Sequence, residues 1–173
     1  GGRQHLQDRW LPCAPGLPGW RLQTAASSIG LPHGGLRPKM TLTLVLIRHA
    51  KSSWDAPFSE DHARVLNTRG RAAAPVMGRW IAEKGYCPDQ VLCSDAARTV
   101  ETLALMLPEW PIRPQVLTLS PLYHASPTGM IDQLRKATGH TVALVGHNPG
   151  IGSLACGLLP TRPAHPRYAD YPT

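Results

Sequence analysis

Two short apolar runs constrain this 173-residue chain more than any other feature: Leu42-Thr43-Leu44-Val45-Leu46-Ile47 and Val142-Ala143-Leu144-Val145. Neither alternates with charged residues, so a strand built from either must be covered on both faces. That is the pattern of a parallel sheet buried between helices. Both runs end in a histidine. Arg48-His49-Ala50 follows the first, and Gly146-His147-Asn148-Pro149-Gly150 follows the second. Open α/β sheets bind ligands beyond the carboxyl ends of their strands, so two histidines at such ends point to an enzyme.

The sequence between the runs supplies the alternation that a parallel sheet needs. A helix is predicted over Thr68–Lys84, with Met77, Trp80, Ile81 and Lys84 at three- and four-residue steps and Gly85 ending it. Pro75 lies inside and should bend it, unless the helix begins later. A strand at Gln90–Cys93 leads into a helix over Asp95–Leu107 with Ser94 as its cap, stopped by Pro108 and Pro111. A further strand at Gln115–Leu119, helical spacing across Gly129–Lys136, a strand at 141–145 and a helix over Ile151–Leu158 complete the series. Strands alternating with helices over short connections imply a mostly parallel, three-layer α/β/α sandwich.

The first 39 residues read differently. They hold seven glycines and five prolines, and the stretches PCAPGLPG at 12–19 and IGLPHGGLRP at 29–38 oppose any regular element. The expectation is a disordered or added segment over 1–39 and a domain over 40–173. The net charge of +7 is split between them, because residues 1–39 carry five basic groups and one acid. A modest positive balance suits a small anionic ligand. No Lys/Arg block with interleaved aromatics argues for nucleic acid, and no apolar stretch reaches the ~18 residues of a membrane span. Cys13, Cys87, Cys93 and Cys156 are widely spaced and form no CxxC, so free thiols in a reducing compartment are expected. With no compact apolar leader, the expected location is cytoplasmic.

Three polar clusters carry the chemistry. A neutral histidine can attack phosphorus, and the charge that spreads over the phosphoryl oxygens calls for several donors, of which arginine's rigid fork is the best single supplier. Arg48 and His49 supply one fork and a nucleophile. In Cys93-Ser94-Asp95-Ala96-Ala97-Arg98-Thr99-Val100-Glu101-Thr102, Arg98 falls near a helix start that favours phosphate, with the Thr102 hydroxyl one turn on to steady it. His147, if protonated, would donate to phosphoryl oxygens, and Gly146 and Gly150 let the backbone turn tightly beside a ligand. His62 has no zinc-ligand spacing to His49 and His147, and no metal site is expected.

These pieces resemble the histidine phosphatase superfamily, in its phosphoglycerate mutase-like branch, and most closely the small phosphohistidine phosphatase group called SixA-like. Arg48 to Trp54 matches that group's RHAKSSW, Leu66-Asn67-Thr68-Arg69-Gly70-Arg71 its Asn/Thr-Arg-Gly segment, and Leu122-Tyr123-His124-Ala125 also fits. The resemblance spans roughly 41–173. It implies a phosphoglycerate mutase-like sandwich, His49 as the transiently phosphorylated nucleophile, Arg48, Arg98 and His147 as the phosphate pocket, and no metal or other cofactor.

The wider superfamily places a Glu or Asp proton donor after its middle strand, whereas Ser120-Pro121-Leu122-Tyr123-His124 has no carboxylate. Phosphohistidine needs such an acid least, because imidazole leaves more readily than an alkoxide. His124 and Asp55 remain as possible donors for a poorer leaving group. The implied function is hydrolysis of phosphohistidine on a protein of the histidine phosphotransfer type. The alternatives are a phosphomonoesterase acting on a small phosphorylated metabolite, such as a sugar or nucleotide phosphate, and a non-catalytic or inactive phosphate-binding module. His165 to Thr173 resembles the family's entry into its last strands, which the domain is expected to lack.

Overall fold

A computed structural model of the chain describes residues 42–54 and 60–161, and the backbone alone of 23–26. Five strands form one sheet: β1 (Gln23–Ala26), β2 (Thr43–Arg48), β3 (Gln90–Ser94), β4 (Gln115–Leu119) and β5 (Thr141–Gly146). Their order across it is β1-β2-β5-β3-β4, parallel throughout except for β1, which pairs antiparallel with β2. Four helices accompany them: α1 (Thr68–Glu83), α2 (Ala97–Met106), α3 (Pro127–Leu134) and α4 (Gly150–Gly157).

Strand pleat sorts the apolar runs into two cores. Val45, Ile47, Val91, Cys93, Ala143 and Val145 face one way, against Ala74 and Ile81 of α1 and Leu103 and Met106 of α2. Leu44, Leu46, Leu92, Val142 and Leu144 face the other way, against Met130 and Leu134 of α3 and Ile151 and Leu154 of α4. Every one of these side chains is buried, which is why neither run alternates with polar residues. The result is the expected α/β/α sandwich. At about 25 cal/mol per Å² of apolar surface, these two layers are the dominant stabilising term. The outer strand β4 is the exception, since Val116 and Leu117 are exposed.

Several local expectations change. The first strand runs one residue further than its apolar run, so that Arg48 pairs with Gly146 and belongs to the sheet. Helix α1 begins at Thr68 as expected and continues through Pro75 to Glu83, with Asn67 capping it by accepting from Gly70 N–H at 2.9 Å. Helix α2 begins at Ala97, and its N-cap is Ala96 rather than Ser94, because Ser94 is the last residue of β3 and turns its hydroxyl to His147. Strand β1 arises within the first 39 residues, where no regular element was expected. Its QTAA sequence falls between the two Gly/Pro-rich stretches and so escapes both. The rest of that segment, Cys13, Asp55 and His165 to Thr173 lie outside the described residues.

The connections place the crevice. Helices α1 and α2, which follow β2 and β3, pack on one face, whereas α4, which follows β5, packs on the other. Chain leaving in opposite directions opens a space over the carboxyl ends of β2, β5 and β3. Two close approaches hold its walls. A Cβ on Gly70 would fall 2.3 Å from the Lys51 carbonyl, and one on Gly150 would fall 2.1 Å from the Ala125 carbonyl. Gly150 is thus required by the loop carrying Tyr123 and His124, rather than by a ligand.

Candidate active site

The three strand ends bring their polar residues together. His49 N–H donates to the Gly146 carbonyl at 3.1 Å, and the rings of His49 and His147 lie with centroids 5.3 Å apart. Arg98, on the second residue of α2, is close enough to press on the charge of both histidines, and Arg48 on that of His49. Arg48, His49, Arg98 and His147 therefore lie close together at the carboxyl ends of β2, β5 and β3. His49, Arg98 and His147 are buried, and Arg48 is half-buried.

His49 is held in one tautomer. Its Nδ1 lies 2.7 Å from the Ala50 carbonyl, which can only accept, so Nδ1 carries the proton and Nε2 keeps its lone pair. Ala50 is fixed in turn, because its N–H donates to Thr102 Oγ1 at 2.9 Å. Thr102 was expected to steady the Arg98 side chain. Instead its hydroxyl donates to the Arg98 main-chain carbonyl at 2.6 Å and anchors the turn after the nucleophile candidate. Burial pushes the His49 pKa down to about 4 against the pull of the Ala50 bond, and the nearby arginines push it the same way. At neutral pH the ring is uncharged.

Burial favours the neutral form of His147 as well, so the donor considered for it is a neutral N–H rather than an imidazolium. Burial, together with His49, Arg98 and His124, lowers its pKa to about 3. Its Nε2 shares a 2.9 Å hydrogen bond with Ser94 Oγ, a partner that sequence reading assigned to a helix cap. Its Nδ1 is buried and has no hydrogen-bond partner among the described residues. A buried polar atom without a partner costs free energy on the order of 1–3 kcal/mol. With the Ser94 hydroxyl donating to Nε2, Nδ1 carries the proton, and an oxygen of a bound anion could accept from it.

A second ring of residues forms the mouth. Tyr123 meets His147 edge-on at 5.4 Å, and His124 lies 5.0 Å from His147 with its side chain half exposed. His124 has φ 48°, a left-handed conformation that non-glycine residues adopt at a cost and that clusters at functional sites. Asp61, on the short turn Asp61–Ala63, joins Arg98, Tyr123, His124 and Arg64 through its carboxylate. His62 Nε2 lies 2.9 Å from Asp95 Oδ1. Among the described residues, no group of three or more His, Cys, Asp or Glu could hold a metal ion. Cys87, Cys93 and Cys156 are free, and burial pushes the Cys93 thiol up to about 12.

Sequence reading missed Asp61, Arg64 and the role of Ser94. Arg64 closes the loop after His49: it donates to Ser52 Oγ at 2.8 Å and to the Ser53 carbonyl at 3.0 Å, and stacks 3.4 Å over Trp54. Glu101 ties that loop to α1 and α2, accepting from Leu66 N–H at 2.7 Å and from Arg71 Nε at 2.5 Å. The signal for Asp61 and Arg64 was their i, i+3 charge pairing in Asp61-His62-Ala63-Arg64.

Residues 44–118 match the family model for the histidine phosphatase superfamily, branch 1. An uncharacterised protein of Mycobacterium leprae is 34% identical over 117 residues, 65% of this chain and 70% of that protein. An uncharacterised chloroplastic protein of Arabidopsis thaliana is 44% identical over 63 residues, 36% of this chain, and the match spans only 29% of the relative's length. Among solved structures, a candidate phosphohistidine phosphatase SixA from Agrobacterium tumefaciens superposes with a TM-score of 0.60 at 31% identity, covering 64% of this chain and 71% of that one. Ordered motifs, phosphoglycerate mutase-like sandwich, shared pocket and relatives agree: the chain belongs to the histidine phosphatase superfamily.

Proposed function

We propose that this protein is a phosphatase that hydrolyses phosphohistidine on a protein through a covalent phosphohistidine intermediate on His49. The observation that carries this reading is the Nδ1 contact to the Ala50 carbonyl, which leaves a neutral, buried Nε2 ready to attack. Nε2 attacks phosphorus in line, a P–N bond to His49 forms, and the P–N bond to the substrate imidazole breaks. Arg48 and Arg98 spread their donors over the phosphoryl oxygens. His147, with Nε2 accepting from Ser94, offers its Nδ1–H to the same oxygens. Water then attacks the phosphoenzyme, returning the electron pair to His49 Nε2 and releasing inorganic phosphate.

All of the charge neutralisation in this scheme comes from side chains, so EDTA is expected to leave turnover unchanged. The imidazole leaving group can be protonated by solvent near neutral pH, which fits a pocket with no carboxylic acid after β4. Hydrolysis of a small sugar or nucleotide ester is the second reading, favoured by His124. Its half-exposed ring at the mouth could protonate an alkoxide. Phosphate release from phosphoimidazole and from an alkyl phosphate distinguishes the two. A higher kcat/KM for phosphoimidazole is expected, and preference for the alkyl ester would reverse the order.

A further inference from the structure

Asp61 gathers more donors than any other side chain at the mouth. Its Oδ2 accepts from Tyr123 OH at 2.7 Å, Arg98 Nη2 at 2.8 Å and His124 Nε2 at 3.1 Å, and its Oδ1 accepts from Arg64 Nη1 at 2.8 Å. Its main-chain carbonyl takes Arg98 Nη1 as well. The Tyr123 hydroxyl first, then His124 and the two arginines, hold the carboxyl far below the usual carboxylate range. A carboxylate fixed in this way cannot supply a proton. It is nevertheless 43% exposed, whereas the Arg98 side chain that it grips is 3% exposed. Oδ1 carries only Arg64 among the described residues and can accept a further donor.

Arg98 has five N–H groups and spends two of them on Asp61, with Tyr123 close by as well, so part of its fork remains for a phosphoryl group. The guanidinium thus has an anion of the protein on one edge and N–H donors to spare on the others. On the phosphohistidine reading, a leaving group that departs toward the mouth would pass the Asp61 carboxylate, whose charge is shared with Arg98 and Arg64 and whose Oδ1 still has accepting capacity. For an alkoxide this is unfavourable, because like charges develop at short range. For the imidazole of phosphohistidine the sign reverses. Its second ring nitrogen can carry a proton, and a neighbouring carboxylate favours that cationic form. From the cation, cleavage of the P–N bond returns the electron pair to the ring and releases neutral imidazole, with no proton taken from the enzyme.

We propose that Asp61 is a specificity-determining residue whose carboxylate at the mouth favours the imidazolium form of a bound phosphohistidine and disfavours substrates that leave as alkoxides, an assignment that rests on the phosphohistidine reading. The test is Asp61→Asn in the full chain, assayed on phosphoimidazole and on p-nitrophenyl phosphate, whose nitrophenolate leaves without a proton. The kcat/KM for phosphoimidazole should fall roughly 10-fold or more beyond any fall for p-nitrophenyl phosphate, the scale of one charge interaction at partial burial. Asp61→Glu, which keeps the charge, should restore much of the preference. Asp61→Ser gives the same comparison if the amide disturbs Arg98. An equal fall on both substrates, or no change on either, would overturn the role of Asp61 and leave the parent reading intact. If the unaltered protein turns over p-nitrophenyl phosphate but not phosphoimidazole, the parent reading fails and takes this assignment with it.

Discussion

The floor of the pocket and its mouth are built on opposite principles. The floor consists of His49, Ser94, Arg98 and His147, all buried and all set at or just beyond the ends of packed strands or in the first turn of α2. There, removal of water fixes protonation, and both histidines are neutral against the ordinary preference of the ring at mildly acidic pH. The mouth consists of Asp61, His62, Tyr123 and His124 on irregular chain, with Asp61, His62 and His124 each about half exposed. There, partners rather than burial hold the groups, and Asp61 is ionised because four donors surround it. On the proposed function, chemistry belongs to the floor and selection to the mouth. Substitutions at the two levels should therefore differ in kind as well as in size.

The largest effect should come from the floor. Replacing His49 with Ala is expected to lower turnover at least ~10⁴-fold on every substrate, the scale seen when a covalent nucleophile is removed. Circular dichroism should report an intact fold. Arg98→Ala should cost roughly 100-fold or more, the scale of one preorganised transition-state donor. Arg98→Lys should recover little, since a point charge cannot replace the fork that spans Asp61 and a phosphoryl group. A loss confined to KM in either arginine variant would move Arg98 out of the transition-state machinery.

The mouth should respond selectively. His124→Ala is expected to lower kcat/KM for an alkyl phosphate several-fold more than for phosphoimidazole, and both by less than Arg98→Ala does. Equal losses on the two substrates would remove His124 as a proton donor.

The difference in burial also predicts how stability depends on pH. Both floor histidines bind a proton more readily in the unfolded chain, where the ring titrates near 6.5, than in the folded one, at about 4 for His49 and about 3 for His147. Their contribution is therefore fully present above pH 6.5 and is lost as pH falls from there through 4 towards 3. The combined loss should be on the order of a few kcal/mol. His147→Gln should flatten that slope in urea titrations at pH 7, 5.5 and 4.5. The smallest effect is expected at Trp54, 74% exposed beneath the Arg64 guanidinium. Trp54→Ala should cost about 0.5–1 kcal/mol of stability, the value of one exposed cation–π contact.

The floor was legible in the sequence because it is tied to strand periodicity. Apolar runs without alternation located β2 and β5, and the residues immediately beyond them, His49 and His147, had to emerge at one edge of the sheet. Arg98 was legible because it follows β3 at a helix start. What burial does to protonation was not legible: a protonated His147 was the donor considered, and burial favours its neutral ring. Ser94 read as a cap because local sequence favours that role, yet its partner, His147, lies 53 positions away. Asp61 was passed over for the same reason. Its partners Arg98, Tyr123 and His124 are 37, 62 and 63 positions distant, and only the sheet topology brings them together.

The central claim is that His49 Nε2 forms the covalent bond to phosphorus, and rapid-quench trapping tests it most directly. Mixing the protein with labelled phosphoimidazole for milliseconds, quenching in alkali and mapping the label should yield one phosphoryl group on His49 Nε2, stable in base and labile in acid, with or without EDTA. Turnover without any trapped phosphoenzyme, or label that persists in His49→Ala, would contradict it.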